Sequence, residues 1–265
     1  MIDIHTHVLP GLDDGAADLE ESVALAEQAA ADGVLTLVAT PHIREDHDVP
    51  IAELAARAKR LTVELERRSI PVRILPGGEV ATSVAPTLTD EQLRAVSLGG
   101  ASRYVLLEPP YGPLPRNFED VVFGLALRGF VAVIAHPERS HDLRTNLERL
   151  AELVRRGSLV QVTAAALAGD GKSESARFAA ELVERRLAHC LASDSHRAGQ
   201  RAGIAEARRA LASKSIGMAE YARQMTHDVP ERLIADEPAR VPPPLERGRG
   251  RRRAWRRAPG PLGAG

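Results

Sequence analysis

His5 and His7 stand two residues apart at the end of a short apolar run, Met1-Ile2-Asp3-Ile4-His5-Thr6-His7. In a strand, residues i and i+2 point to the same face, so both imidazoles can reach one point. Asp13 and Asp14 follow in a loop punctuated by Pro10, Gly11 and Gly15. Imidazole plus carboxylate is the donor set that divalent metals of intermediate softness take. A His-x-His pair alone is more often incidental than a ligand pair. Its meaning depends on whether the rest of the chain brings similar groups to the same place.

The elements that must do so follow a regular alternation. Ile2 to His5 reads as a strand. Asp18 can cap the next helix, with Glu20 and Glu21 in its first turn and Gly33 at its end. Val34 to Ala39 is a continuous apolar run, as a strand buried on both faces should be, and it ends at Thr40-Pro41-His42. The pattern then repeats with helices predicted at 51–68, 89–96, 117–127, 147–156 and 175–186. The strands between them are predicted at 72–75, 104–107, 131–135, 159–162 and 189–192. Further helices are predicted at 204–211, 218–225 and 229–234. Seven strands, each followed by a helix, imply a parallel sheet with helices outside it, enough to close a barrel.

In a parallel barrel, active sites are built at the C-terminal ends of the strands. The residues just past those ends are His5 and His7 with Asp14, then His42, Glu79, Glu108 and His136. The sixth strand offers only Gln161 and Thr163. The seventh ends in Asp194 and His196, again two apart. Six of seven strands thus deliver a ligand type to one end, though each residue alone has a plainer reading as a cap or a surface group. Nine candidates exceed what one ion needs and suit two or three metals sharing carboxylates. Such clusters can clamp both the attacking and leaving oxygens of a phosphoryl displacement. The absence of cysteine from the set argues against a structural zinc site. Mn²⁺, Fe and Zn²⁺ all remain open to these donors.

Arg139 follows in His136-Pro137-Glu138-Arg139, at the mouth, where a guanidinium can grip phosphate at two points. A salt bridge to a loop carboxylate is its plainer role. Arg44 and Arg197 are weaker candidates. His47 and His141 are expected in loops at the same end, whereas His189 and His227 read as structural. Cys190 falls inside an apolar strand, where a buried thiol is inert. Arg197 is also one residue too far along for a Cys-x5-Arg phosphatase loop.

Composition bounds the rest. The chain has 265 residues, a formal net charge of -1, 44% hydrophobic residues and 3% aromatics, so Ala, Leu and Val must fill the core. A near-neutral body gives no reason to expect nucleic acid as a partner. One cysteine allows no intramolecular disulfide and fits a reducing compartment. No secretory signal and no apolar run near the roughly 20 residues of a membrane helix is visible, so a cytoplasmic protein is expected. Two segments are expected: a barrel over 1–237, and a Pro/Arg-rich disordered tail over 238–265. The tail carries Pro242-Pro243-Pro244, then Arg247, Arg249, Arg251 to Arg253, Trp255, Arg256 and Arg257. It is either a solvated run or a contact to an anionic membrane surface or an acidic partner, with Trp255 as an interfacial anchor.

These stretches resemble the polymerase-and-histidinol-phosphatase (PHP) superfamily. Within it, they resemble the bacterial PHP-type tyrosine-protein phosphatases of capsule and exopolysaccharide systems. The resemblance rests on residues 1–7 with Leu9-Pro10-Gly11-Leu12-Asp13-Asp14-Gly15, and on 39–42, 75–79, 134–139 and 192–196. It implies a distorted (β/α)7 TIM-like barrel and a trinuclear, typically manganese, site. It also implies a partition of ligands: His5, His7, Glu79 and Asp194 for one metal, Glu79, Glu108 and His136 for a second, Asp14, His42 and His196 for a third. The implied substrate is phosphotyrosine on a membrane-associated bacterial tyrosine autokinase. Departures from the family's pattern are Thr6, Ile43 and Leu106-Leu107-Glu108-Pro109-Pro110-Tyr111.

The chemistry expected is hydrolysis by a water activated between metals, with Arg139, His42 and His136 taking part in catalysis. The rival readings are a small-metabolite phosphatase such as one for histidinol phosphate, a nuclease, and a non-catalytic metal-binding module of a polysaccharide assembly.

Overall fold

The computed structural model describes residues 1–169, 171–200 and 203–245. Its strands are β1 (Ile2–Thr6), β2 (Thr36–Ala39), β3 (His42–Ile43), β4 (Arg73–Pro76), β5 (Glu79–Ala81), β6 (Tyr104–Glu108), β7 (Val131–Ala135), β8 (Leu159–Thr163) and β9 (Cys190–Ala192). All the ladders between them are parallel: β1-β2-β4 in one set and β3-β5-β6-β7-β8-β9 in the other. β2 and β3 are one stave interrupted at Thr40-Pro41, and β4 and β5 are one stave interrupted at Gly77-Gly78. The ring closes past the ends of β1 and β9. There Asp194 N–H donates to His5 O at 2.9 Å and His7 N–H donates to Ser195 O at 2.9 Å. Among the described residues this makes the seven-stave barrel expected from the alternation.

The two interruptions alter one expectation. His42 and Glu79 do not lie in loops beyond their strands; they begin the resumed staves and pair in register with each other. Pro41 has no N–H to give a ladder. At Gly78 a Cβ would stand 2.8 Å from Ile43 Cγ1 and 3.0 Å from Val96 Cβ, so the chain passes there only without a side chain.

Strand residues are buried on both faces and divide by alternation. Val105, Leu107, Ile134, Val160 and Leu191 pack in the large cluster with helix residues such as Leu61, Phe118 and Leu182. Leu106, Val133, Leu159 and Cys190 pack in a second cluster with Ile4 and Val38. Val229 and Leu233 of the helix Val229–Ile234 join this second cluster. Fully burying each such aliphatic side chain stabilises the barrel by about 1.5–3 kcal/mol.

Local signals set the helix starts. Asp18 accepts from Glu21 N–H at 3.0 Å. Thr89 and Gln92 form a reciprocal capping box before Asp90–Ala95. Two five-residue helices, His141–Thr145 and Ala164–Ala168, were not foreseen, because so short a run shows little periodicity. His141 therefore starts a helix rather than lying in a loop.

The first part of the expected tail lies on the barrel. Ala239 and Val241 pack against the second cluster, and Ala239 N–H donates to Tyr104 Oη at 3.0 Å. The Arg/Trp run, residues 246–265, lies outside the described residues. Among the described residues, no helix is long and apolar enough to cross a membrane.

Candidate metal centre

All nine expected ligands meet at the C-terminal end of the barrel. β1 and the turn after it bring His5 and His7, both fully buried. Their Nε2 atoms lie 3.3 Å apart and face the same two carboxylates. His5 Nε2 is 3.2 Å from Glu79 Oε2 and 3.4 Å from Asp194 Oδ1; His7 Nε2 is 3.4 and 3.3 Å from the same atoms. His136 Nε2 lies 2.8 Å from Glu79 Oε1. His42 Nδ1 lies 3.0 Å from Glu79 Oε2 and 3.7 Å from Glu108 Oε2. On the outer side, Asp14 Oδ1 is 3.5 Å from His42 Nε2 and 3.3 Å from His196 Nε2.

Four groups of side chains offer donor atoms within 4.8 Å of one another. They are His5/His7/Asp194, His5/Glu79/His136, His42/Glu79/Glu108, and His7/Asp14/His42/His196. This grouping differs from the partition that the family resemblance implies. His7 also joins the outer group, and Glu108 sits with His42 rather than with His136.

Backbone geometry aims several of these groups. His136 and Asp194, at the ends of β7 and β9, have φ of 28° and 50°. Left-handed conformations cost non-glycine residues free energy and cluster at functional sites. Here they turn two strand ends inward. At Gly15 a Cβ would fall 2.3 Å from His7 O, so only glycine lets the 10–15 loop close over His7.

A second layer fixes the rings. Gln161 Oε1 accepts from His5 Nδ1–H at 3.0 Å and from His136 N–H at 3.3 Å. Asp13 Oδ2 accepts from His7 Nδ1–H at 2.6 Å and from His42 N–H at 3.0 Å. His196 Nδ1–H donates to Asp194 O at 3.1 Å. In all three histidines Nδ1 is engaged and Nε2 is left for the centre, the arrangement that ligating histidines need. Asp13, a candidate donor in the sequence, thus stands behind His7 instead, and Gln161 takes a role that its sequence does not announce. The signal for Gln161 was its place on the sixth stave, the one that supplies no ligand.

Electrostatics agree with a site built for cations. Burial opposes charge on Glu79, yet the imidazoles of His5, His136 and His42 hold its carboxyl well below the usual range. The same conflict runs at Asp194, where His5, His7 and Arg139 win and the pKa falls. Burial also opposes protonation of His5 and His7, but Glu79, Asp194 and, for His7, Asp13 raise both. Asp13 is lowered to about 2: burial is outweighed by its bond to His7. Glu108 moves the other way, pushed up by burial and by the neighbouring Glu79 charge. Below the site, Asp3 is raised to about 6 by burial despite accepting from His5 N–H and Ser193 N–H.

The donors fit a metal cluster by a separate test. Glu79 Oε2, Glu108 Oε1 and His42 Nδ1 are buried and make no hydrogen bond. His42 Nδ1 and Glu79 Oε2 are close, but their orientation is wrong for one. Buried polar atoms nearly always hydrogen-bond, and three that do not, all on residues of one close group, are what cation ligation would explain.

Of the other expected residues, Arg139 reaches the site: its Nη1 lies 2.5 Å from Asp194 Oδ2 and 3.4 Å from Tyr111 Oη. It thus meets Asp194 rather than His136. Arg44 is forked onto Asp46 at 3.0 and 2.8 Å, with Glu108 4.0 Å away. His47 stacks on His42 with ring centroids 5.6 Å apart. His189 is buried and accepts from Val160 N–H, while His227 lies at the surface beside Asp228. Cys190 is fully buried and its thiol is pushed far up by burial.

The family model for capsular polysaccharide synthesis, CpsB/CapC, matches residues 1–235. The chain belongs to the CpsB/CapC family. Among its relatives, the tyrosine-protein phosphatase YwqE of Bacillus subtilis is 38% identical over 201 residues, covering 74% of this chain and 77% of YwqE. The putative tyrosine-protein phosphatase CapC of Staphylococcus aureus is 30% identical over 199 residues, again 74% of this chain and 77% of the relative. A crystal structure from work on YwqE and on CpsB of Streptococcus pneumoniae, unique metal-dependent tyrosine phosphatases, superposes with a TM-score of 0.81. It is 33% identical and covers 94% of this chain and 100% of its own. Within the CpsB/CapC family, then, solved relatives are metal-dependent, and the donor-rich barrel end described above lies inside the matched span.

Proposed function

We propose that this protein is a metal-dependent protein-tyrosine phosphatase that hydrolyses phosphotyrosine on a protein substrate. One observation carries the reading: the barrel end gathers nine imidazole and carboxylate candidate ligands, among them buried atoms of Glu79, Glu108 and His42 that make no hydrogen bond. His5, His7, Asp14, His42, Glu79, Glu108, His136, Asp194 and His196 hold two or three ions, Mn²⁺ before Fe or Zn²⁺. Metal bound there would supply positive charge to the phosphate oxygens and would lower the pKa of a water.

The chain's own residues do the rest. Gln161 and Asp13 hold His5 and His7 in one tautomer and orientation. Arg139, anchored on Asp194, presents a planar cation to the phosphate, where fixed positive charge matches charge that develops in the transition state. His42 and His136 take part in catalysis as ligands whose rings Glu79 and Asp14 help to place, and the phenolate leaving group needs a separate proton donor within hydrogen-bond reach. The buried Cys190 thiol takes no part.

The catalytic unit is residues 1–237. The Arg-rich stretch of 238–265 is a contact to an anionic membrane surface or to the partner, and the protein is cytoplasmic, peripheral at most. The partner is a membrane-associated bacterial tyrosine kinase of polysaccharide export, a reading supported by the family's link to capsular polysaccharide synthesis.

The test is hydrolysis of a phosphotyrosine peptide against phosphoserine peptide and histidinol phosphate, with and without Mn²⁺, alongside metal analysis. Preference for phosphotyrosine and two or three ions per chain are expected. A stoichiometry of one or zero at Mn²⁺ saturation, or preference for histidinol phosphate, sinks the proposal.

A further inference from the structure

A cleft of about 560 Å³ opens beside the metal centre and shares Glu108 with it. Its walls include Arg44, Pro86, Pro110, Tyr111, Pro113 and Pro115. The volume falls within the about 300–1,000 Å³ usual for ligand clefts and exceeds what a phosphate requires. Proline walls are rigid, because the ring fixes φ, and they offer no N–H, so they present apolar faces at small ordering cost.

Tyr111 stands where this cleft meets the centre. Its hydroxyl is 3.4 Å from Arg139 Nη1, and its ring lies within 7° of parallel to His136, with centroids 6.3 Å apart. It is nonetheless 58% exposed. Among the exposed large apolar side chains of the described residues, it is the one that touches groups of the centre. A phosphate held at Arg139 would carry its aryl ring beside this exposed ring, within the 4.5–7 Å reach of aromatic pairs.

We propose that this cleft is the peptide subsite of the centre: Tyr111 is the platform for the phosphotyrosine ring, and the proline walls seat an apolar side chain next to it in the substrate. This rests on the phosphatase reading above and adds a substrate class to it, phosphotyrosine flanked by apolar residues. Arg44 is held by Asp46 and forms the rim between cleft and centre.

The test uses Mn²⁺-loaded full-length protein, wild type and two variants, Tyr111→Ala and Ser83→Trp, the latter placing bulk in the cleft that Ser83 lines. The substrates are a phosphotyrosyl peptide with leucine on both sides and p-nitrophenyl phosphate. For the peptide, KM should rise by about tenfold in each variant with kcat changed far less, the pattern of lost uniform binding. For Ser83→Trp, the ratio of peptide to small-ester kcat/KM should fall. For Ser83→Trp, parallel changes on both substrates overturn the proposal, and so does an unchanged peptide KM in either variant. Binding of the same peptide with a non-hydrolysable phosphonate is measured separately. If wild type hydrolyses neither ester, the phosphatase reading fails. The binding arm still decides the cleft: weakened binding in both variants supports it, and equal or absent binding refutes it.

Discussion

Replacing Gln161 with leucine removes one oxygen that accepts from two buried donors. Leucine is close in volume, so the change is chemical rather than steric. In the native chain Gln161 Oε1 takes His5 Nδ1–H at 3.0 Å and His136 N–H at 3.3 Å. Leaving a buried donor unpaired costs about 1–3 kcal/mol each. Against this, Gln161 Nε2 is itself buried without a partner, so leucine also removes one such cost. The metal-free protein should therefore lose only about 1–3 kcal/mol net, a small part of a domain's stability. The larger effect falls on His5, whose ring is then free to turn or to take the other tautomer. Loss of a partner behind a metal ligand typically weakens metal binding by about 10–100-fold, or roughly 1.4–2.7 kcal/mol. The assay is Mn²⁺ affinity by competition with a chromophoric chelator, paired with thermal melting of the metal-free protein. Gln161→Leu should melt modestly lower and bind Mn²⁺ at least tenfold more weakly. Unchanged affinity with the stability loss alone would show that Gln161 merely fills the barrel and would refute the reasoning.

Other perturbations test separate parts of the site. Arg139→Ala should lower kcat on phosphotyrosine peptide by on the order of 10²–10³, and Arg139→Lys by less, since lysine keeps the charge but loses the fork; near wild-type turnover in the alanine variant would remove Arg139 from catalysis. Cys190→Ser should leave kcat within about twofold, because activated water needs no thiol, and mass spectrometry should find no phosphocysteine; finding one would overturn the mechanism. His189 is buried, and burial lowers its pKa to about 4 from 6.5. An unfolded chain binds this proton below about pH 6.5 and the native one does not until about pH 4. Its contribution to stability is therefore present above pH 6.5 and lost as pH falls through that window, by roughly 3 kcal/mol at about 1.4 kcal/mol per pH unit. His189→Asn keeps an acceptor for Val160 N–H, so denaturant melts from pH 7 to 4 should show a flatter profile; an unchanged slope would exclude His189 as the source.

The order of elements and the gathering of the candidate ligands at one end were legible in the sequence because both are local signals. Apolar runs closed by Gly33, Gly129 and Gly157 mark strand and helix ends, and a parallel barrel sends every strand end to one face. Reading His5, His7, His42, Glu79, Glu108, His136, Asp194 and His196 from those ends needed no knowledge of distances. What the fold alone decided is how those groups share space. The breaks at Thr40-Pro41 and Gly77-Gly78 set His42 in register with Glu79, and no periodicity reports a register between strands so far apart in the chain. Arg139 turned to Asp194, and Gln161 and Asp13 took their places behind the histidines, through contacts 156 and 6 residues apart in sequence for His5–Gln161 and His7–Asp13. Glutamine on a buried strand looks the same in sequence whether it is stranded or essential. Only closure of the barrel, which brings β8 beside β1 through β9, puts its oxygen against His5.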